Sequence, residues 1–278
     1  MVDELIAAFE ARVQKLDWMS EETKGEAQRK LETLQVAIGY PDEWPEENLE
    51  ITSPDEGGSA FQNMAVVFRS ETHHDFSSLQ VYTVNAAANR QTNQLIFPAG
   101  IMQTPYYDVN AAREENLAGI GAIIAHEITH VFDDQGAKYD ADGNLRDWWK
   151  PEEHAYFQEL CQKVVQFYDG WEAAPGIAAD GTNTLSENIA DIGGMACTLD
   201  VLKQMENPDY DQFFRAHSAA WVKVSTRASM EEEIYDEHAP NNLRINRVFS
   251  NFQEFFDTYA IGERDGMYVA PEDRILIW

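Results

Sequence analysis

Apolar residues recur at helical spacing through the first forty positions. Leu5, Phe9 and Val13 fall on one face of a first helix. Ser20, just after a break in this pattern, has the side chain of a helix N-cap for a second helix. We therefore expect residues 1–40 to form a helical pair.

Residues 41–78 show no such periodicity, and we expect an irregular stretch. Residues that break regular structure are frequent here: Pro41, Pro45, Pro54, Gly57 and Gly58. The pair His73-His74 lies in the same stretch. We interpret it as part of a polar loop rather than as a second metal site.

The pattern changes again in residues 79–102. Side chains alternate from Val81 to Ala86, a run of turn-forming residues follows at 89–93, and an apolar run continues from Leu95. This order predicts a β-hairpin. Residues 103–278 return mainly to helical patterns, so the whole chain, 1–278, is predicted to be a single α+β lobe that is mainly helical.

Charge narrows the classes of partner. The chain has 278 residues, with 49 Asp or Glu against 20 Lys or Arg, a formal net charge of −29. A surface of this sign repels nucleic acid and anionic membranes. No apolar run approaches the ~20 residues that span a bilayer, the first residues lack signal-peptide features, and only Cys161 and Cys197 are available for a disulfide. We expect a cytoplasmic protein that binds neither nucleic acid nor membranes.

One segment places titratable side chains in an apolar setting. Residues 117–125 are uncharged and predict a helix that is buried on nearly all sides, and His126, Glu127 and His130 extend it. Burying such groups without partners costs roughly 1–3 kcal/mol or more each. The two histidines lie about 40° apart on adjacent turns, so both can reach one ion. Glu127 points about 100° from His126, where a base for metal-activated water belongs.

Two histidines leave a tetrahedral zinc ion one protein ligand short. Glu187 and Asp191 share a helical face at i and i+4, and could supply a ligand and an acceptor for an imidazole N–H. Asp133 is a second candidate acceptor. The same residues also fit a simpler interpretation, in which hydrogen-bonded histidines are exposed and the carboxylates form a solvated acidic face. The apolar flank of His126 favours the metal site.

Several short motifs follow one another between Asp17 and the last residue. They are Val84-Asn-Ala86, Phe97-Pro-Ala-Gly-Ile101, His126-Glu-Ile-Thr-His-Val-Phe-Asp-Asp134, Asp147-Trp-Trp149, Asn183-Thr-Leu-Ser-Glu-Asn-Ile-Ala-Asp191, His238-Ala-Pro-Asn-Asn-Leu-Arg-Ile245 and Ile277-Trp278. In identity and order they strongly resemble the neprilysin family of zinc metallopeptidases. The resemblance implies a zincin-like, thermolysin-like catalytic domain with a small antiparallel sheet or hairpin.

The resemblance also implies a set of functional residues. His126, His130 and Glu187 correspond to the ligands of one zinc ion, and Glu127 corresponds to the general base and proton shuttle of a zinc endopeptidase or oligopeptidase. Peptides are the implied substrates.

Further positions match family residues around the zinc site. Asp133 and Asp191 resemble the carboxylates behind the ligands, Asp191 being counted with the catalytic set. Asn85-Ala86 resembles the edge-strand positions that bind the substrate backbone. His238 resembles the donor to the oxyanion, and Arg244 the residue that grips the substrate beyond the cleaved bond.

The chain also departs from the family pattern. Ala87-Ala88 stand where aromatic residues are usual, Ile275 replaces a frequent cysteine, and the extracellular disulfide set is missing, which favours bacterial, cytoplasmic members. The long N-terminal portion that forms a lid has no predicted counterpart. Two alternatives to a complete peptidase therefore stay open. One is a catalytically silent fragment, or one chain of a two-chain assembly; the other is a zinc-dependent module that binds peptides without cutting them. An N-terminal portion, a second chain or self-association are candidate partners.

Overall fold

The computed structural model describes residues 1–41, 51–71 and 79–278. It is mainly helical with two small sheets, which confirms the predicted α+β class. No helix in these three ranges is long and apolar enough to cross a bilayer.

Both predicted N-terminal helices are present. Helix α1 spans Val2–Lys15 and α2 spans Glu21–Glu32. The Ser20 hydroxyl accepts a hydrogen bond from the Thr23 N–H at 3.4 Å, so it caps α2 as expected. Leu5, Phe9 and Val13 are fully buried because the apolar face of α1 packs on the core.

A three-stranded sheet follows the order β1–β3–β2. Strand β1 (Gln35–Gly39) runs parallel to β3 (Gln94–Pro98), and β2 (Ala87–Asn89) runs antiparallel to it. The hairpin expected in residues 79–102 is therefore present. Its first strand is shorter than predicted and begins only at Ala87, and β1 adds a strand to a segment predicted as purely helical.

The expectation of an irregular stretch at 41–78 is wrong for one part of it. Helix α3 spans Ala60–Glu71. The Ser59 hydroxyl accepts from the Gln62 N–H at 3.2 Å, while the Gln62 side-chain oxygen accepts from the Ser59 N–H at 3.1 Å. This reciprocal pair is a capping box, which satisfies the free amides of the first helical turn. His73-His74 lies outside the described residues.

The central packing is made by two helices, the one that ends at His130 and the one that spans Leu185–Leu202. A continuous helical segment comprises α4 (Arg113–Asn116), a π-helical turn over Leu117–Gly121, and α5 (Ala122–His130). Six further helices complete the described C-terminal part: α6 (Pro151–Tyr168), α7 (Leu185–Leu202), α8 (Tyr210–Trp221), α9 (Arg227–Glu233), α10 (Asn241–Phe249) and, last, α11 (Gln253–Tyr259). A short hairpin of β4 (Glu172–Ala174) and β5 (Ile177–Ala178), which was not predicted, interrupts residues 103–278.

The C-terminal residue belongs to the core. Trp278 is 4% exposed and its ring lies 5.8 Å from Phe9, 6.1 Å from Phe132 and 5.3 Å from Phe157, centroid to centroid. The Arg12 guanidinium donates to the Trp278 carbonyl oxygen at 3.1 and 2.8 Å. Helix α1 is thus fastened to the end of the sequence beneath α5.

Candidate metal centre and cleft

Helix α5 places two imidazoles on one buried face. The Nε2 atoms of His126 and His130 are 2.9 Å apart and the rings stand at 90° to each other. Each residue is 7% exposed. The four-residue spacing predicted this proximity, because residues one turn apart share a face.

Helix α7 brings a carboxylate to the same point. Glu187 Oε2 lies 3.1 Å from His126 Nε2, and Oε1 lies 3.3 Å from His130 Nε2. The approach depends on glycine: a Cβ built on Gly194 would stand 2.7 Å from the backbone nitrogen of His126. A larger residue there would hold α7 away from the histidines.

Two further carboxylates fix the rings from behind. Asp191 Oδ1 lies 2.8 Å from His126 Nδ1, and Asp133 Oδ2 lies 2.7 Å from His130 Nδ1. A carboxylate only accepts, so each Nδ1 carries a proton, and the neutral form of each ring presents a lone pair at Nε2. The predicted partners Asp191 and Asp133 thus lie where they can orient the two rings.

The surroundings keep these carboxylates ionised. Burial raises the pKa of Asp191, but Arg244 and His126 outweigh it and hold the pKa well below the usual range. Burial raises the pKa of Glu187 as well, but the two neighbouring histidines together outweigh it and hold the pKa well below the usual range. For His130, burial lowers the pKa, while Asp133 and Glu187 raise it well above its ordinary value. The surrounding carboxylates thus favour a positive charge at Nε2, which either a proton or a metal ion would supply.

This donor set fits a metal ion. Two imidazole lone pairs and a carboxylate face one another, an arrangement that repels itself unless a cation lies among them. Glu187 Oε2 is buried and, in the described part of the chain, has no hydrogen bond of acceptable geometry. Tetrahedral zinc ligands at ~2.0–2.1 Å stand about 3.3 Å apart, close to the 2.9, 3.1 and 3.3 Å found between these donor atoms.

Glu127 lies beside this centre without joining it. It follows His126 on α5, is 6% exposed, and lines the cleft that runs past the histidines. Its side chain makes no hydrogen bond to any other described residue. Its carboxylate is therefore free to exchange a proton with a molecule in the cleft.

The cleft has a volume of about 290 Å³. Asn85 and Ala86 line it, as do His238 and Arg244. The prediction that Asn85 and Ala86 are edge-strand positions is wrong. They immediately precede β2, which begins at Ala87. Continuing the ladder would pair Asn85 with Pro98, which has no N–H to donate.

His238 and Arg244 enter from the segment before and within α10. His238 Nε2 lies 3.2 Å from Glu187 Oε2, and Nδ1 lies 2.7 Å from Asp236 Oδ1. Arg244 Nε and one terminal nitrogen donate to Asp191 at 2.8 and 2.7 Å. The guanidinium also lies 4.1 Å from the ring centroid of Trp221, a cation–π contact.

Four residues that contribute to the site were not predicted from the sequence. Asp236 accepts a hydrogen bond from His238, and Trp221 stacks on Arg244. Gly194 lets α7 approach α5 closely, and Arg90 from the β2–β3 turn donates to Asp133 at 2.9 Å. A glycine within a helix does signal close packing. An arginine in a hairpin turn carries no such signal.

The fold and site define the class as a zincin-like metallopeptidase domain, with a thermolysin-like arrangement of two histidines and Glu127 on one helix and Glu187 on another. The chain belongs to peptidase family M13, the neprilysin family: models of that family match residues 1–41 and 85–275. The resemblance inferred from the sequence is confirmed.

Relatives of known name agree. The chain is 36% identical to a neutral endopeptidase of Lactococcus lactis subsp. cremoris over 292 aligned residues, which cover 100% of the chain and 46% of the relative. PEPO from Lactobacillus rhamnosis HN001 superposes with a TM-score of 0.87 at 33% identity, over 99% of the chain and 45% of PEPO. Mycobacterium tuberculosis zinc metalloprotease ZMP1, in complex with an inhibitor, gives 0.86 at 30% identity, over 100% and 46%. The chain thus spans about half the length of these relatives.

Proposed function

We propose that this chain is the catalytic lobe of a zinc-dependent endopeptidase or oligopeptidase. The observation that carries the proposal is the convergence of three electron-pair donors, from His126, His130 and Glu187, beside the unengaged carboxylate of Glu127. A single zinc ion fits these donors best, since two imidazoles and one carboxylate leave a position open for water or substrate.

When bound, zinc would polarise the peptide carbonyl and lower the pKa of a water molecule. Glu127 then accepts the proton of the attacking water and returns it to the departing amine. Asp133 and Asp191 keep the ligand rings oriented by accepting from Nδ1. His238 serves as oxyanion donor: Asp236 holds the ring at Nδ1, and Nε2 is turned toward the metal centre, 3.2 Å from Glu187 Oε2.

Substrate binding uses the two sides of the cleft. Asn85 and Ala86, at the start of the sheet edge, supply hydrogen-bonding groups for an extended peptide backbone. Across the cleft, Arg244 uses two nitrogens on Asp191 and keeps its second terminal nitrogen unbonded within the described structure. That nitrogen can donate to the substrate beyond the cleaved bond.

The principal alternative remains a silent lobe, or one chain of a two-chain peptidase. The chain spans less than half the length of the named relatives, so the test below asks what this lobe does by itself. A peptide-binding module is the other outcome.

The test measures zinc content and cleavage of a mixed peptide pool for the chain and for Glu127→Gln, with and without a chelator. We expect one zinc per chain in both forms, and chelator-sensitive cleavage only with Glu127 present. Glu159→Gln, on the exposed side of α6, is the matched control and should cleave normally. Cleavage by Glu127→Gln would refute its role, and zinc binding without any cleavage would favour the alternatives.

A further inference from the structure

Part of the lining of the cleft is apolar. We call this part the apolar recess; it comprises Tyr106, Ile123, Met195, Val248 and Trp221, and Trp221 contacts Arg244. His217 of α8 also lines this cleft although it is only 6% exposed. Its ring centroid lies 6.3 Å from Trp221, the residue on which Arg244 stacks, and 5.4 Å from Phe249.

One nitrogen of His217 is committed and the other is not. Nδ1 lies 2.9 Å from the carbonyl oxygen of Ala118. Since a carbonyl only accepts, Nδ1 carries the proton and Nε2 presents a lone pair. Among the described residues Nε2 has no hydrogen-bond partner. Burial lowers the pKa of the ring to about 4, so His217 is neutral at physiological pH.

We propose that Nε2 of His217 is a specificity-determining acceptor, which selects a substrate with a hydroxyl-bearing side chain at the residue that lies beside Arg244. The inference rests on the proposed function, which places the residue after the cleaved bond there. An apolar side chain would fill the recess and leave Nε2 dry and unpaired, whereas a hydroxyl donates to it. Unpaired buried acceptors of this kind reduce affinity by roughly tenfold.

A purely structural role for His217 makes a different prediction. If the ring served only to bond Ala118 and to fill space, hydroxyl and apolar side chains of equal shape would bind alike. Tyr against Phe, and Thr against Val, are such pairs and sample two depths of the recess.

The experiment uses the zinc-loaded full chain carrying Glu127→Gln, so that peptides bind without being consumed. Calorimetry gives the Kd of pentapeptides that differ only in Tyr or Phe, or in Thr or Val, after the expected cleavage site. Two added substitutions separate the nitrogens of His217. His217→Asn keeps a donor at the Nδ1 position for Ala118, and His217→Gln keeps an acceptor near the Nε2 position.

We expect the hydroxyl peptide of at least one pair to bind roughly tenfold more tightly, with the preference retained in His217→Gln and lost in His217→Asn. Equal Kd values within both pairs, already in the parent chain, would overturn the proposal without any further variant. An unchanged preference in His217→Asn would overturn it too. Cleavage of the same peptides by the chain with native Glu127 tests the proposed function separately: discrimination in binding without cleavage would refute peptidase activity alone.

Discussion

Substituting Gly194 by Ala tests whether the close contact of α7 with α5 builds the metal centre. The added Cβ would stand 2.7 Å from the backbone nitrogen of His126 and 3.1 Å from the carbonyl carbon of Ala125. Both are backbone atoms, so no side-chain rotation relieves the contact. Ordinary contacts begin near 3.4 Å, so the two helices must separate locally by about 0.7 Å.

That displacement is large for a metal site. Glu187 and Asp191 both belong to α7 and would move with it, whereas metal–ligand distances vary by only ~0.2 Å. We expect zinc affinity to fall by roughly 10–100-fold, as when groups behind metal ligands are lost. Overpacking costs about 1–3 kcal/mol of stability, partly offset by about 1 kcal/mol because alanine favours helix over glycine. Zinc affinity is therefore the sharper measurement.

Competition with a chromophoric chelator gives the zinc affinity, and urea unfolding gives the free energy of unfolding. Gly25→Ala on α2 is the matched control, because nothing lies within 4 Å of its built Cβ. It should leave zinc affinity unchanged and stabilise the chain by about 0.5–1 kcal/mol. If Gly194→Ala bound zinc as tightly as Gly25→Ala, the packing argument would be wrong.

Three further predictions concern buried groups. Burial lowers the pKa of His217 from 6.5 to about 4, so the unfolded chain binds a proton at this residue at higher pH than the folded chain does. The free energy of unfolding should therefore fall by up to about 3 kcal/mol as the pH is lowered from 6.5 to 4. Urea unfolding of His217→Asn should lack this loss. Arg244→Met leaves the buried Asp191 carboxylate without its arginine partner and should lower the free energy of unfolding in urea by about 3 kcal/mol. Arg215→Met, in an exposed pair, is the control and should change it little. Burial raises the pKa of the Cys161 and Cys197 thiols to about 12, so both should resist iodoacetamide at pH 8 until the chain is unfolded; rapid labelling of native protein would contradict their burial.

Local periodicity was enough to predict the parts of the fold made by local contacts. The helical pair and the apolar helix ending in His130 have strong 3.6-residue patterns. Strand β1 could not be found in this way, because Gln35–Gly39 becomes a strand only by pairing with β3, about sixty residues on. Helix α3 had a readable signal in its capping box, but the prolines and glycines before it suggested a loop.

The same difference between local and long-range contacts decides which parts of the site could be predicted. Spacing within a helix predicted that His126 and His130 meet, and that Glu187 and Asp191 share a face. That α7 would dock on α5 in the right register was known only through the resemblance, since it depends on Gly193-Gly194 and on packing across the core. The contact of Arg90 with Asp133 joins two segments 43 residues apart and has no local pattern.

The burial of Trp278 has a consequence for biosynthesis. Arg12 and the carbonyl it binds are separated by 266 positions, so α1 leaves the ribosome long before the ring that covers Phe9 exists. At a translation rate of about 5–20 residues per second, the apolar face of α1 stays exposed for many seconds before Trp278 is synthesised. Nascent chains that stop before Trp278 should therefore be targets for chaperones and proteases. A tag fused directly to that residue should disturb the packing that supports the zinc-binding helix.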